Sequence, residues 1–481
     1  MKFTQMPYER VDFDKVKAEF AELEAGLDKA TSGQEQMEVH RRYYELTGHV
    51  MTQMTLAEIR HDIDTTDEFY SAEQDFYDQN GPVFRNLCVS YQKKLYRSPY
   101  RAYLEERIGK VAFKNIELGM KSVDDKILPL MQEENAIQTE YNKLLATAKI
   151  AWRGETLNLS LMNPYLHSSD RGIRAEAWKK YTAFFEENQE QLDDIYDRLV
   201  KNRTKQGEAM GYENYLPLGD ARMMRNCYDR SDMGEFRKQV KRDFVPFAEK
   251  LHERRRQRLG IDHLLYIDEG VYFPQGNPAP IGTPEEILQA GQKMYRELSK
   301  ETGEFMDFMR ENELFDVLGR KTKKTGGYMT YLPDFGAPFI FANFNGTSGD
   351  ADVITHECGH AFQWYVVKDD PIREHWDITM ETAETHSMSM EFFTEPWMNL
   401  LFGSRAKDYV DMHFEDSMAF IPYGTMVDEF QEIAYQNPGL TPAQRNGVWR
   451  DLERQYKPHL DYTGNAYYEA GGFWQKQHHI Y

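Results

Sequence analysis

The chain has 481 residues, 41% hydrophobic and 14% aromatic, which excludes wholesale disorder and supplies a large core. Its 58 Lys and Arg against 79 Asp and Glu leave a formal charge of -21, which argues against a nucleic-acid binder because a polyanionic backbone is gripped by clustered cations. No apolar run approaches the roughly 18 residues of a membrane span, and charges interrupt the first twenty residues too often for a secretory leader. Cys88, Cys227 and Cys358 are odd in number and irregularly spaced, which fits neither a disulfide framework nor a CxxC metal knuckle. A reduced, cytoplasmic protein is expected.

In chain order, the segments Val11–Leu27, Ala72–Tyr96, Asp124–Arg153, Arg174–Tyr212 and Asp232–Leu259 are long, rich in helix formers and apolar at three- and four-residue spacing. Each predicts a helix. Thr156–Met162 alternates as a half-buried strand does. Thr283-Pro284-Glu285-Glu286 opens another helix, with a capping hydroxyl, a proline in the first turn and acids that complement the dipole, and this helix should run to about Asn312. Gly326–Asn345 breaks the pattern with glycines and prolines between short aromatic and β-branched runs, so a small sheet is expected there. The result is a mainly α architecture, softly divisible near residue 150 into an N-terminal helical lobe (1–150) and a second helical domain (151–481).

The strongest chemical signal follows that sheet. His356-Glu357-Cys358-Gly359-His360 reads HExxH inside a helix opened by Thr347 or Ser348, with Asp350 and Asp352 in its first turn. Histidines four apart share one helical face, where both imidazoles can reach one zinc, and the intervening Glu357 can hold a water on that metal. A bare HExxH arises by chance in roughly one chain of this composition in twenty-five. Its flanks add weight. Val353, Ile354, Ala361, Phe362, Trp364 and Tyr365 make the helix apolar around much of its circumference, and two buried imidazoles beside a carboxylate would cost several kcal/mol without a metal. The bland rival is a pair of hydrogen-bonded histidines on an exposed helix. Gly359 argues against it, because glycine inside a helix signals close approach of another backbone.

A catalytic zinc takes three protein ligands and keeps one open position. Asp369, Asp370, Glu374, Asp377, Glu381, Glu384 and Glu391 all follow the motif at plausible distances, and spacing alone does not choose among them. Within a helix containing Met380–Phe393, Glu384 and Glu391 are seven apart and share a face, with Glu381 three residues before the first. Asp352, four before His356, could orient an imidazole or simply favour the helix N-terminus. Glu391 could orient a ligand or form a core salt bridge. Phe339–Asn343 (FIFAN), with Phe339, Phe341 and Asn343, reads either as an edge strand that pairs with an extended peptide or as an ordinary buried strand. Tyr328 and Tyr331 could line a cleft, though aromatics on strands usually pack in cores.

HECGHAFQ at 356–363 followed by ETAETHSMSMEFF at 381–393 resembles the thimet-oligopeptidase-like zinc metallopeptidases, and within them the oligoendopeptidase F branch. The resemblance extends upstream through 326–357 and downstream through GGFWQKQHHIY at 471–481, and more weakly from about Glu140 to Tyr228. It implies a two-lobed helical zinc-peptidase fold with a deep central channel and a small sheet beside the HExxH helix. It implies one Zn²⁺ per chain held by His356, His360 and Glu384, since the family's third ligand is a Glu about twenty-four residues past the second His and seven before another Glu. Glu357 would be the general base and then carry the proton to the leaving amine, and His479 would match the His that stabilises the oxyanion. His478 beside it is expected to be solvated. Family members continue past this element with a Tyr-rich segment, whereas this sequence ends at Tyr481, so either a C-terminally truncated chain or a natural variant with impaired catalysis is expected. The implied activity is a metalloendopeptidase cleaving internal bonds of short unstructured peptides. Its rivals are a helical HExxH carboxypeptidase, which would grip a free carboxylate with Arg or Lys, and a non-catalytic helical protein with a closed structural zinc. Short peptides are the expected partners, with no nucleic acid and no membrane, and the oligomeric state is left open.

Overall fold

The structure is a computed structural model that describes residues 1–481. Helices dominate. The first three are α1 (Phe13–Lys29), α2 (Gly33–Ile63) and α3 (Glu68–Tyr96), each opened by a side-chain cap, from Asp12, Ser32 and Asp67 respectively. With the shorter helices Arg101–Ile108 and Lys110–Met120 they enclose a core that includes Phe20, Tyr91 and Leu104. Next, α4 (Leu128–Ala146) packs against α3 on one side and a later helix on the other. The expected helix to Arg153 ends early. Arg153 and Gly154 both take positive φ, closing a hairpin of β1 (Ile150–Trp152) and β2 (Glu155–Leu157). The expected strand Thr156–Met162 is therefore only strand at its start, and Ser160–Met162 is a 3-10 turn.

The segment expected as one helix over 174–212 is two, α5 (Arg171–Glu187) and α6 (Gln189–Ala209), because Asn188 leaves helical geometry and its side chain donates to the Phe184 carbonyl at 2.7 Å. Further on, α7 (Val245–Leu259) follows a π-turn at Val240–Phe244. The helix expected from Thr283 to Asn312 also splits, into α8 (Pro284–Leu298) and α9 (Lys300–Glu311). Ser299 sits between them in extended conformation and caps the second through the Thr302 amide at 3.1 Å.

The small sheet lies where the composition changed. It consists of β3 (Phe315–Leu318), β4 (Tyr328–Leu332) and β5 (Ala337–Phe344) in the order β3-β5-β4, with β3 parallel and β4 antiparallel to β5. FIFAN is thus the central strand, not an edge. Phe339 and Phe341 are both 0% exposed, so neither offers surface to a ligand. After the sheet come α10 (Cys358–Val367), α11 (Met380–Thr394), α12 (Ala406–Gln436) and α13 (Pro442–Tyr456).

Two further cores complete the packing. One gathers the sheet, α8, α9, α10 and the start of α12, together with Phe3 and Met6 from the N-terminus. The other joins α4, α5, α6, the end of α12 and α13 to the C-terminal aromatics, where Tyr481 stacks on Tyr141 at 3.9 Å. The three cysteines are free, and no helix is long and apolar enough to cross a membrane.

Candidate metal centre

The chain approaches the site through a tight turn in which the Asp350 carboxylate accepts from the Asn345 and Gly346 amides at 2.9 Å each. Gly349–Asp352 starts the helix and Val353–Glu357 widens into a π-turn before α10 continues. Wide turns of this kind cost regular hydrogen bonding and recur at functional sites. Here the turn carries His356 and Glu357. The helix is buried along one face, with Ile354, Ala361 and Trp364 at 0–1% exposure, while Val353, Phe362 and Tyr365 are only half-buried, so it is less enclosed than its apolar flanks suggested.

Gly359 performs the task read from the sequence. A Cβ there would stand 2.7 Å from Ser387 Cα and 3.0 Å from the His386 carbonyl oxygen, so only glycine allows α11 to lie this close. That approach brings Glu384 to the two imidazoles. Its Oε2 lies 3.3 Å from His356 Nε2 and 3.7 Å from His360 Nε2, and the rings are nearly perpendicular, with centroids 5.0 Å apart. The donor atoms all lie within 4.8 Å of one another. A tetrahedral zinc with bonds near 2.05 Å needs donors roughly 3.3 Å apart, so these side chains fit such an ion. The charge balance points the same way. Glu357, Glu384 and Glu391 converge on two imidazoles, an excess of partly buried acid that a divalent cation offsets.

Four of the other candidate acids are committed elsewhere, Asp369 among them through Lys368 at 2.6 Å, whereas Asp377 has no hydrogen-bond partner. Glu374 bonds His40 Nε2 at 2.9 Å and the Tyr44 hydroxyl, Asp370 bonds His375, and Glu381 takes the Tyr228 hydroxyl. Glu391 bonds an imidazole: its Oε1 accepts from His356 Nδ1 at 2.5 Å, with Nε2 of that ring facing Glu384. Asp352 does not touch an imidazole. Its carboxylate accepts from the Tyr409 hydroxyl at 2.6 Å, and burial raises it to about 6 despite that bond.

Several participants were not foreseen. His413, from α12, donates to the second oxygen of Glu391, forming a His356–Glu391–His413 chain. Nothing local in the sequence marks His413 or Tyr409. Ser387 donates to Glu384 Oε2 at 2.8 Å, a contact that its three-residue spacing on α11 could have revealed.

Burial opposes charge on His356, but the hydrogen bonds it donates to Glu384 and Glu391 outweigh it and raise the imidazole to about 10. The hydrogen bond to His356 in turn lowers Glu384 to about 2. Glu357 is raised to about 7, chiefly by burial and then by Glu384 and Glu391, against the pull of His356 and of a hydrogen bond from the Met329 amide. A carboxylate poised there is suited to exchange protons near neutrality.

The remaining expected residues lie apart from these ligands. Asn343 donates to the Lys324 and Gly326 carbonyls at 2.9 and 2.8 Å, bracing the loop before β4. Tyr328 stacks on Phe341 at 4.9 Å and donates to Asp62 at 3.0 Å, tying the sheet to α2. His479 is exposed and makes no hydrogen bond with His356, His360 or Glu384, and the neighbouring His478, also exposed, packs edge-on against Tyr141.

Comparison with known proteins agrees with this architecture. The Peptidase M3 N-terminal domain matches residues 3–123, and Peptidase family M3 matches residues 299–481. A comparison with curated proteins returned no match. Among solved structures, one assigned as an oligoendopeptidase F is 46% identical with a TM-score of 0.99, covering 100% of this chain and 85% of its own. PZ peptidase A, solved with an inhibitor, is 46% identical with a TM-score of 0.98 over the same shares. One from Bacillus anthracis, also assigned as an oligoendopeptidase F, is 41% identical with a TM-score of 0.94, covering 99% of this chain and 87% of its own. With both halves matched and the HExxH helix set against an acid-bearing helix, the chain belongs to peptidase family M3 and is a metalloendopeptidase.

Proposed function

We propose that the chain is a zinc-dependent oligoendopeptidase that hydrolyses internal bonds of short, unstructured peptides. The observation that carries this reading is the convergence of His356 Nε2, His360 Nε2 and Glu384 Oε2 beside a half-buried Glu357. Zinc bound by those three residues supplies Lewis acidity toward water and the scissile carbonyl. The Glu357 carboxylate takes a proton from the attacking water and returns it to the leaving nitrogen. Glu391 and His413 hold His356 in register, and Ser387 steadies Glu384. His479 as oxyanion donor and the restriction to short peptides rest on the family resemblance alone.

The strand offered to a peptide is β4, the sheet edge nearest the site. Tyr331 pairs with Pro338, which has no N–H, so the main-chain groups of Tyr331 point away from β5. Met329, two residues earlier, points the same way, its amide facing the Glu357 carboxylate. An extended substrate laid along that edge would pass the metal ligands with sequence-tolerant main-chain hydrogen bonds.

The test combines elemental analysis with hydrolysis of a fluorogenic peptide blocked at both ends. The expected result is one zinc per chain and internal cleavage, with Glu357→Gln keeping the zinc and losing about 10²–10⁴ in rate. Equal activity of the variant and the wild type would remove Glu357 from its role. Cleavage only of peptides with free C-termini would favour a carboxypeptidase.

A further inference from the structure

A second group of charges, remote from the metal ligands, lines a cavity bounded by α5, α7, the middle of α12 and the C-terminal turn. Arg255 is 1% exposed there. Its Nη1 donates to the Glu269 carbonyl at 2.5 Å, but Nε and Nη2 have no hydrogen-bond partner. The nearest carboxylate, Glu415, stands 3.6 Å away and is already gripped by both arms of Arg258 at 2.8 Å. Lys476 lines the same cavity, its ammonium 3.8 Å above the Phe473 ring and 5.4 Å from that of Trp178, with no carboxylate within ion-pair reach. Burial pushes this ammonium down to about 8, against the pull of Glu269. The third cation, Lys457, is spent on Glu269, and the other acid of the cavity, Asp416, accepts from the Tyr272 hydroxyl at 2.7 Å.

A guanidinium with two orphaned donors and an ammonium without a counter-charge are each costly in a partly desolvated space, and a bound anion relieves both. A metal is the poorer fit. His252, Glu269 and His459 bring donor atoms together, but their imidazoles stack face to face at 3.5 Å and both Arg255 and Lys457 oppose further positive charge there. The cavity also leads toward the metal centre. Tyr272, Asp416 and His167 line it together with an adjoining cavity that reaches Asp352 and His413.

We propose that this cavity is a carboxylate subsite in which Arg255 and Lys476 anchor a carboxylate of the peptide substrate, in the first instance its free C-terminus. The inference rests on the peptidase reading for the identity of its ligand. The experiment is isothermal titration of the zinc-loaded Glu357→Gln protein with three N-acetylated heptapeptides: the free acid, its C-terminal amide, and an amide ending in Glu. The acid is expected to bind at least about tenfold more tightly than the plain amide. Lys476→Met, introduced alongside, is expected to bring that ratio close to one while holding or raising the melting temperature, because it removes an uncompensated cation. Arg255→Gln is expected to reduce the ratio in the same way. Tight binding of the Glu-terminated amide assigns the subsite to side-chain as well as terminal carboxylates. Equal binding of acid and amide, binding of neither, or a preference that survives Lys476→Met in a folded protein overturns the proposal. Failure of the peptidase reading shows separately, as intact blocked peptide in the hydrolysis assay.

Discussion

Gly359 couples the packing of two helices to the geometry of the metal site, and replacing it with Ala tests that coupling. The new methyl carbon would lie 2.7 Å from Ser387 Cα and 3.0 Å from Met390 Cβ, whereas carbon atoms in contact sit near 3.5 Å. Relief requires α10 and α11 to separate by about 0.8 Å. Glu384 rides on α11, so its present spacings of 3.3 and 3.7 Å from the imidazole nitrogens would open to beyond 4 Å. Ligand distances tolerate only about 0.2 Å, so metal affinity should fall at least tenfold. Stability moves less. Ala gains about 1 kcal/mol of helix propensity over Gly, and overpacking costs about 1–3 kcal/mol, leaving a net loss of about 0–2 kcal/mol. Chelator competition reads the first quantity and denaturant unfolding of the metal-free protein the second. A Gly359→Ala protein that binds zinc as tightly as the wild type would refute the claim that helix contact sets the donor geometry.

Other consequences follow from particular contacts. Glu391→Gln should weaken zinc binding by about 10–100-fold, measured by chelator competition, because an amide cannot accept from both His356 and His413. Tyr409→Phe should cost about 1–2 kcal/mol in urea unfolding by stranding the Asp352 carboxyl, with zinc content retained. Glu134 is buried, which alone would raise it, but Arg203 and Arg222 prevail and hold it down to about 2. Its folded value is below its unfolded one, so its contribution of about 3 kcal/mol is fully present above pH about 4.5 and is lost as the pH falls toward 2. Glu134→Gln should therefore flatten the acid side of the stability profile in that window, and an unchanged acid limb would contradict this assignment.

The sequence by itself determined the helical character, the position of the small sheet and the two-histidine helix, because these depend on local spacing and propensity. It also marked Gly359 as a point of close approach and put Glu384 and Glu391 on one face of one helix. It did not mark the breaks at Asn188 and Ser299, where a single side chain's hydrogen bond outweighs a continuous helical pattern. Only the tertiary structure decided which acid meets the imidazoles, since Glu374 and Glu381 satisfy equally local criteria yet are drawn to His40 and Tyr228. It alone made β5 the central strand, and it alone brought His413 and Tyr409 from α12 behind the site. Those placements depend on contacts between segments far apart in the chain, and no periodicity within either segment records where the other will lie.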